Sequence, residues 1–170
     1  MTTETADRAI EILLVEDNPA DVRLTEEVIK GSEHATNITV AEDGVEAMEI
    51  LRGEGEHSGA TRPDLILLDL RLPRKDGPEV LADINSDENL VNIPVMILTG
   101  TEAEQSLLNA YNIPPSRFCR KPIELQRFNN VVTQLSMFSR QPISLGAPAG
   151  EQASQESGGK RRWWWPFGGS

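Results

Sequence analysis

Residues 63–79, PDLILLDLRLPRKDGPE, decide the fold. Leu65, Ile66, Leu67 and Leu68 form an apolar run that stops abruptly at Asp69. A short apolar run without alternation reads as a strand buried on both faces, as in parallel sheets, rather than as a half-solvated antiparallel strand. Pro73 and the Asp76-Gly77-Pro78 segment then break the chain. Asp76 and Glu79 have capping-box spacing, so a helix should open there and continue through Leu81 and Ile84. The unit is a strand, a polar turn and a helix.

The same unit recurs in both directions. Upstream, IEILLV (10–15) ends in Glu16-Asp17-Asn18-Pro19. Asn18 suits an N-cap, Pro19 the first helical position and Asp21 the N3 position, with Val22, Leu24, Val28 and Ile29 as the apolar stripe up to Gly31. Residues 38–40 are strand-like, and Asp43 can cap a helix carrying Val45, Met48, Ile50 and Leu51 that Gly53, Gly55 and Gly59 terminate. Downstream, Pro94-VMIL halts at Thr99-Gly100, and Thr101 with Glu104 opens a helix through Leu107, Leu108 and Tyr111. A weak strand over residues 117–119 precedes a last helix from about Ile123, with Leu125, Phe128, Val132 and Leu135 on one face. Five such pairs with apolar strands predict an α/β domain, a doubly wound five-stranded parallel sheet covered on both faces. Its ligands should bind beyond the carboxyl ends of the strands, where strand order reverses.

Composition sets outer limits. The 170 residues suffice for one domain, expected over 10–138, and a tail over 139–170. No apolar run approaches the roughly 20 residues of a membrane span, and the polar, acidic N-terminus lacks the pattern of a secretory signal, so a cytoplasmic protein is expected. Cys119, the single cysteine, reads as a small core residue, and His34 and His57, without metal-ligand spacing, read as solvated. Residues 1–139 hold 12 Lys and Arg against 25 Asp and Glu, a net charge of −13, which disfavours DNA as a partner. The tail carries the opposite sign. Its GAPAGEQASQESGG stretch (146–159) has too little apolar surface to repay ordering, so a flexible, disordered linker is expected. It ends in KRRWWWPF (160–167), basic and Trp-rich, which suits partner docking first and a membrane surface second.

The strand ends carry the chemistry. Glu16 and Asp17 follow the first strand, Asp69 the third, Thr99 the fourth and Lys121 the fifth. Each alone has an ordinary reading: acids near a helix N-terminus favour the macrodipole, Asp69 suits a turn, Thr99 a strand and Lys121 a solvated surface. Gathered in one pocket they read differently. Two unit charges ~4 Å apart repel by about 4 kcal/mol at an effective dielectric near 20, so three carboxylates require a compensating cation. Mg²⁺ takes one or two carboxylates and keeps room for a phosphate oxygen. Asp69 would then be a nucleophile toward phosphorus, with the metal and Lys121 neutralising charge and the Thr99 hydroxyl bonding an equatorial oxygen.

ILLVEDN (12–18), PDLILLDLRLPRKDG (63–77), IPVMILTG (93–100) and FCRKP (118–122) resemble, in order, the motifs of response-regulator receiver domains of the flavodoxin-like, CheY-like fold. The RGEGEHSGATRPD (52–64) and LPRKDGPEVL (72–81) stretches are most similar to single-domain regulators that partner phytochrome-like sensor histidine kinases. The resemblance implies a two-component phosphorelay protein that takes a phosphoryl group from a sensor histidine kinase on Asp69. It implies metal ligation by Asp17, Asp69 and the Arg71 backbone carbonyl, with Glu16 in the acidic cluster. It also implies phosphoryl contacts from Thr99 and Lys121, an aromatic switch at Phe118 and a cis Lys121-Pro122 bond. Output would pass to a partner protein through the fourth helix, fifth strand and fifth helix, a face that can also form a homodimer. Arg71 and Thr101 depart from the commoner pattern, at positions that in the family help set the lifetime of the phosphoryl group.

Three other readings fit less well. An aspartyl-phosphatase of the haloacid dehalogenase type needs Asp-x-Asp, whereas Asp69 is followed by Leu70-Arg71. A flavodoxin needs a phosphate-cradling first turn, which here is acidic. A pseudo-receiver would not need the intact constellation. The protein is therefore expected to catalyse only its own phosphorylation and dephosphorylation.

Overall fold

Five strands and five helices alternate along the chain in the computed structural model, which describes residues 8–135. They are β1 (Ile10–Val15), α1 (Pro19–Lys30), β2 (Thr36–Ala41), α2 (Gly44–Arg52), β3 (Leu65–Asp69), α3 (Gly77–Asn85), β4 (Val95–Thr99), α4 (Glu102–Ala110), β5 (Phe118–Arg120) and α5 (Leu125–Thr133). All strand pairs are parallel, in the order β2-β1-β3-β4-β5. The chain leaves β1 outward to β2 and returns across it to β3, so strand order reverses between β1 and β3. That places the switch point between Glu16-Asp17 and Asp69. The tail over 139–170, with its Trp-rich end, lies outside the described residues, and no described helix is long and apolar enough to cross a membrane.

The missing alternation in the strands has a direct cause. Leu13, Val15, Ile66, Leu68, Val95 and Ile97 point to one face and pack with Met48, Val80, Leu81 and Leu108 of α2, α3 and α4. Ile12, Leu14, Leu65, Leu67, Met96 and Leu98 point to the other and pack with Ile29, Phe128 and Val131 of α1 and α5. Each such side chain contributes about 1.5–3 kcal/mol by leaving water, which keeps β3 and β4 apolar on both faces up to their last residues, while the edge strand β2, TNITVA, alternates in exposure.

Caps fix where the helices begin. Asn18 accepts from the N–H groups of Ala20 and Asp21, Asp43 from Glu46 and Thr101 from Glu104, and Asp76 with Glu79 completes the capping box. α2 ends on Gly53 in the left-handed region at φ 63°, which glycine adopts at least cost.

The structure corrects several expectations. Leu24 and Leu125 are 49% and 38% exposed, because the buried faces run through Thr25 and Ile29 on α1 and Phe128 and Val131 on α5. β5 begins at Phe118, with Arg117 in a preceding single turn of 3₁₀ helix. α5 starts at Leu125, while Ile123 is buried in the turn before it. His34 and His57 are half-buried rather than solvated, and His57 lies 3.9 Å from Glu46. Cys119 packs against the α1/α5 core, where burial pushes its thiol up to about 11.

Candidate functional site

Lys121 gathers the carboxyl edge of the sheet around one ammonium group. Its Nζ donates to Glu16 Oε1 at 3.1 Å, Asp21 Oδ2 at 3.0 Å and Asp69 Oδ2 at 3.2 Å. Lysine has three donors, and all three are used. The remaining oxygens of the two buried acids are also bonded: Glu16 Oε2 accepts from the Asn18 N–H at 3.1 Å, and Asp69 Oδ1 from the Arg71 N–H at 3.3 Å. The Lys121-Pro122 bond is cis.

Burial and mutual repulsion dominate the electrostatics. Burial, and then the neighbouring charge of Asp69, push Glu16 from its ordinary 4.5 up to about 7, against the Asn18 N–H and Lys121. Burial likewise raises Asp69, with Lys121 and the Arg71 N–H opposing. Burial alone would lower Lys121, but Asp69, Asp21 and Glu16 outweigh it and hold the ammonium above its usual range. One oxygen from each of Glu16, Asp17 and Asp69 lies within 4.8 Å of the others, with Asp17 facing solvent. Glu16, Asp17, Asp21 and Asp69 put four carboxylates around one ammonium, which bonds three of them, so negative charge remains in excess. Hard oxygen donors at this spacing suit a hard divalent cation.

Thr99 ends β4 fully buried, and its hydroxyl donates to the Cys119 carbonyl at 3.3 Å rather than into the acidic pocket. Phe118, 6% exposed, packs into the α2/α3/α4 core. Arg71 does not simply face solvent: its Nε lies 3.7 Å from Oε2 of Glu104, whose side chain is 2% exposed against 55% for Arg71. Glu104 Oε1 accepts from the Gly100 N–H at 2.7 Å. Thr101, the second departure, is the cap of α4.

Asp21 and Glu104 were not among the site residues read from the sequence. Both occupy N3 of a helix that opens at the carboxyl edge, where an acid has a sufficient local explanation in the macrodipole or the cap. The missed signal was their shared place: N3 of a helix leaving a strand end at this edge lies beside the pocket. A groove of about 340 Å³, lined by Arg8, Ile10, Asp64 and Pro94 among others, lies at the amino ends of the strands, away from this chemistry.

Residues 12–133 match the response regulator receiver domain family. The chain is 39% identical over 136 residues to response regulator Rcp1 of Synechocystis sp., a match covering 80% of this chain and 92% of that protein. Among solved structures it is similar to the Mn(2+)-bound form of Rcp1, with TM-score 0.59 and 38% identity over 81% of this chain and 99% of that one. It is also similar to the phosphorylated cyanobacterial phytochrome response regulator RcpA, with TM-score 0.61 and 40% identity over 82% of this chain and all of that one. A match running from β1 to the end of α5 takes in every strand end described above, and the chain belongs to the receiver-domain family of response regulators, which accept a phosphoryl group in two-component phosphorelays and signal through it.

Proposed function

We propose that Asp69 is the phosphoryl acceptor, that Mg²⁺ is the cation required, and that a sensor histidine kinase of the phytochrome type is the donor in the cytoplasm. The observation that carries this reading is the Lys121 ammonium 3.2 Å from Asp69 at the end of β3. The P–N bond of the kinase phosphohistidine, or the P–O bond of a small donor, breaks with its electron pair leaving on the donor. A bond forms between phosphorus and a carboxylate oxygen of Asp69, giving an acyl phosphate. No proton has to be removed from the nucleophile, so this chain's task is positioning and charge neutralisation.

Glu16, Asp17, Asp69 and the Arg71 carbonyl would hold the Mg²⁺, which when bound neutralises charge on the phosphoryl oxygens. Lys121 would bond a phosphoryl oxygen in place of Asp69 Oδ2. The Thr99 hydroxyl would exchange the Cys119 carbonyl for another, and Phe118 would move with β5. Phosphorylation would then change what the α4-β5-α5 face binds, either an output protein or a second copy. On this reading residues 10–138 are the receiver, catalysing only its own phosphorylation and dephosphorylation, and 139–170 are a tail whose KRRWWWPF end docks a partner, with a membrane surface as the second reading.

Incubation with acetyl phosphate and Mg²⁺ tests the acceptor. One added phosphoryl by intact mass, labile to hydroxylamine, is expected. Labelling that survives Asp69→Asn would place the chemistry elsewhere.

A further inference from the structure

Two of the three carboxylates on Lys121, Glu16 and Asp69, belong to the cluster that can hold a cation. Asp21, 3.0 Å from Nζ, does not. Its backbone is well fixed, at N3 of α1 behind Pro19, with its N–H on the Asn18 side chain. Its side chain is 31% exposed and lies at the rim, outside the more buried Lys121.

We propose that Asp21 is a positioning residue for phosphoryl transfer, anchoring the Lys121 ammonium over Asp69 through a hydrogen bond rather than through its charge. This rests on Asp69 being the acceptor. During transfer two of the three Lys121 bonds would change character, since Asp69 becomes joined to phosphorus as an acyl phosphate and the Glu16 carboxylate would be shared with the cation. The bond to Asp21 persists. Lysine is a compact charge on a flexible four-carbon stem, so without a lasting acceptor the ammonium has no fixed direction when the phosphoryl group arrives. Charge and anchor make opposite predictions. As a charge, Asp21 repels an anionic donor and its removal should accelerate the reaction; as an anchor, its removal should slow it.

The experiment uses the full chain with Asp21→Ala and Asp21→Asn, which keeps an acceptor oxygen without the charge. The rate of labelling by acetyl phosphate is measured against donor concentration at saturating Mg²⁺, with Mg²⁺ affinity taken from calorimetry. Asp21→Ala should lower the maximal rate about tenfold with little change in half-saturation, while Asp21→Asn recovers it to within about threefold. Mg²⁺ affinity should be unchanged in both. Equal effects of the two variants, or an alanine variant as fast as the parent, overturn the proposal. So does weaker Mg²⁺ binding in both, which would make Asp21 a ligand. If the parent is not labelled at all, or labelling survives Asp69→Asn, the acceptor reading fails instead. The anchor is then judged by the ¹⁵N signal of the Lys121 ammonium, which should be more strongly protected from exchange in the parent and Asp21→Asn than in Asp21→Ala, where only the bonds to Glu16 and Asp69 remain; equal protection in all three proteins overturns it.

Discussion

Arg71 reaches from the loop after β3 to Glu104 on α4, an exposed guanidinium against a buried carboxylate, with Nε and Oε2 3.7 Å apart. Glu104 also accepts from the Gly100 N–H, and the Arg71 N–H donates to Asp69. Asp69, the loop after Thr99 and the first turn of α4 are therefore joined through Arg71 and Glu104.

Removing the cation should cost more than removing the pair. Arg71→Ala leaves a buried carboxylate with less compensation, and because the guanidinium is half in solvent the cost should be about 1 kcal/mol, nearer a surface pair than a buried one. Adding Glu104→Gln to Arg71→Ala should recover part of that loss. Urea unfolding of the parent, both single variants and the double variant measures the coupling. Strictly additive effects would mean that the two side chains do not interact in solution.

Mg²⁺ should stabilise the unphosphorylated protein, because the acidic cluster repels itself. At ten times the dissociation constant the gain is about 1.4 kcal/mol. Thermal melts in Mg²⁺ and in chelator at equal ionic strength should differ, and Asp17→Ala should erase the difference. Identical melting temperatures in the parent would argue that no metal binds.

The metal-free protein should lose stability as pH rises from about 5 to 8. Glu16 in the fold titrates near 7, above its ordinary 4.5, so between those values the native state keeps a proton that the unfolded chain has released. Stability then falls with rising pH and levels off above the folded pKa, by on the order of 2 kcal/mol. Asp69 is shifted in the same direction. Lys121 is raised above its ordinary 10.5, so its contribution is constant over this window. Bound Mg²⁺ replaces the proton and should flatten the slope, and its affinity should weaken toward tenfold per pH unit below 7. Urea midpoints at pH 5 and pH 8, with and without Mg²⁺, measure this. A Glu16→Gln variant that keeps the metal-free slope would mean that another group is responsible.

The element order was legible because burial on both faces writes itself into β3, β4 and most of β1 as apolar runs, and because Asn18, Asp43, Asp76 and Thr101 announce their helices. The strand-end residues followed, since a parallel sheet collects them at one edge. Helix rotation was not legible: with Val22, Leu24, Thr25, Val28 and Ile29 all within one segment, apolar pattern alone could not choose the buried Thr25 over the exposed Leu24. Nor were contacts between distant side chains. Asp21 and Lys121 are 100 residues apart, and nothing local to either marks the other.

Backbone proximity behind Asp69 gives the last prediction. A Cβ at Gly77 would lie 2.7 Å from the Leu70 Cα and 2.8 Å from the Asp69 carbonyl oxygen. These are main-chain atoms at the end of β3, so a methyl group there cannot be absorbed by a side-chain rotation. The first turn of α3 must move off the strand or the strand end must shift, and Asp69 is the residue that shifts with it. Gly77→Ala should therefore destabilise by about 1–3 kcal/mol, the range for overpacking, and slow labelling of Asp69 by acetyl phosphate in the protein that remains folded. Gly59 offers the control, since a Cβ there meets nothing within 4 Å, and Gly59→Ala should leave stability and labelling unchanged. Gly44, whose Cβ would lie 1.9 Å from the Lys75 carbonyl oxygen, should be less tolerant than Gly77. Chemical denaturation and labelling rates of the three alanine variants test this order. A Gly77→Ala protein as stable and as readily labelled as Gly59→Ala would mean that α3 does not press on the end of β3, and that the position of Asp69 is held by something else.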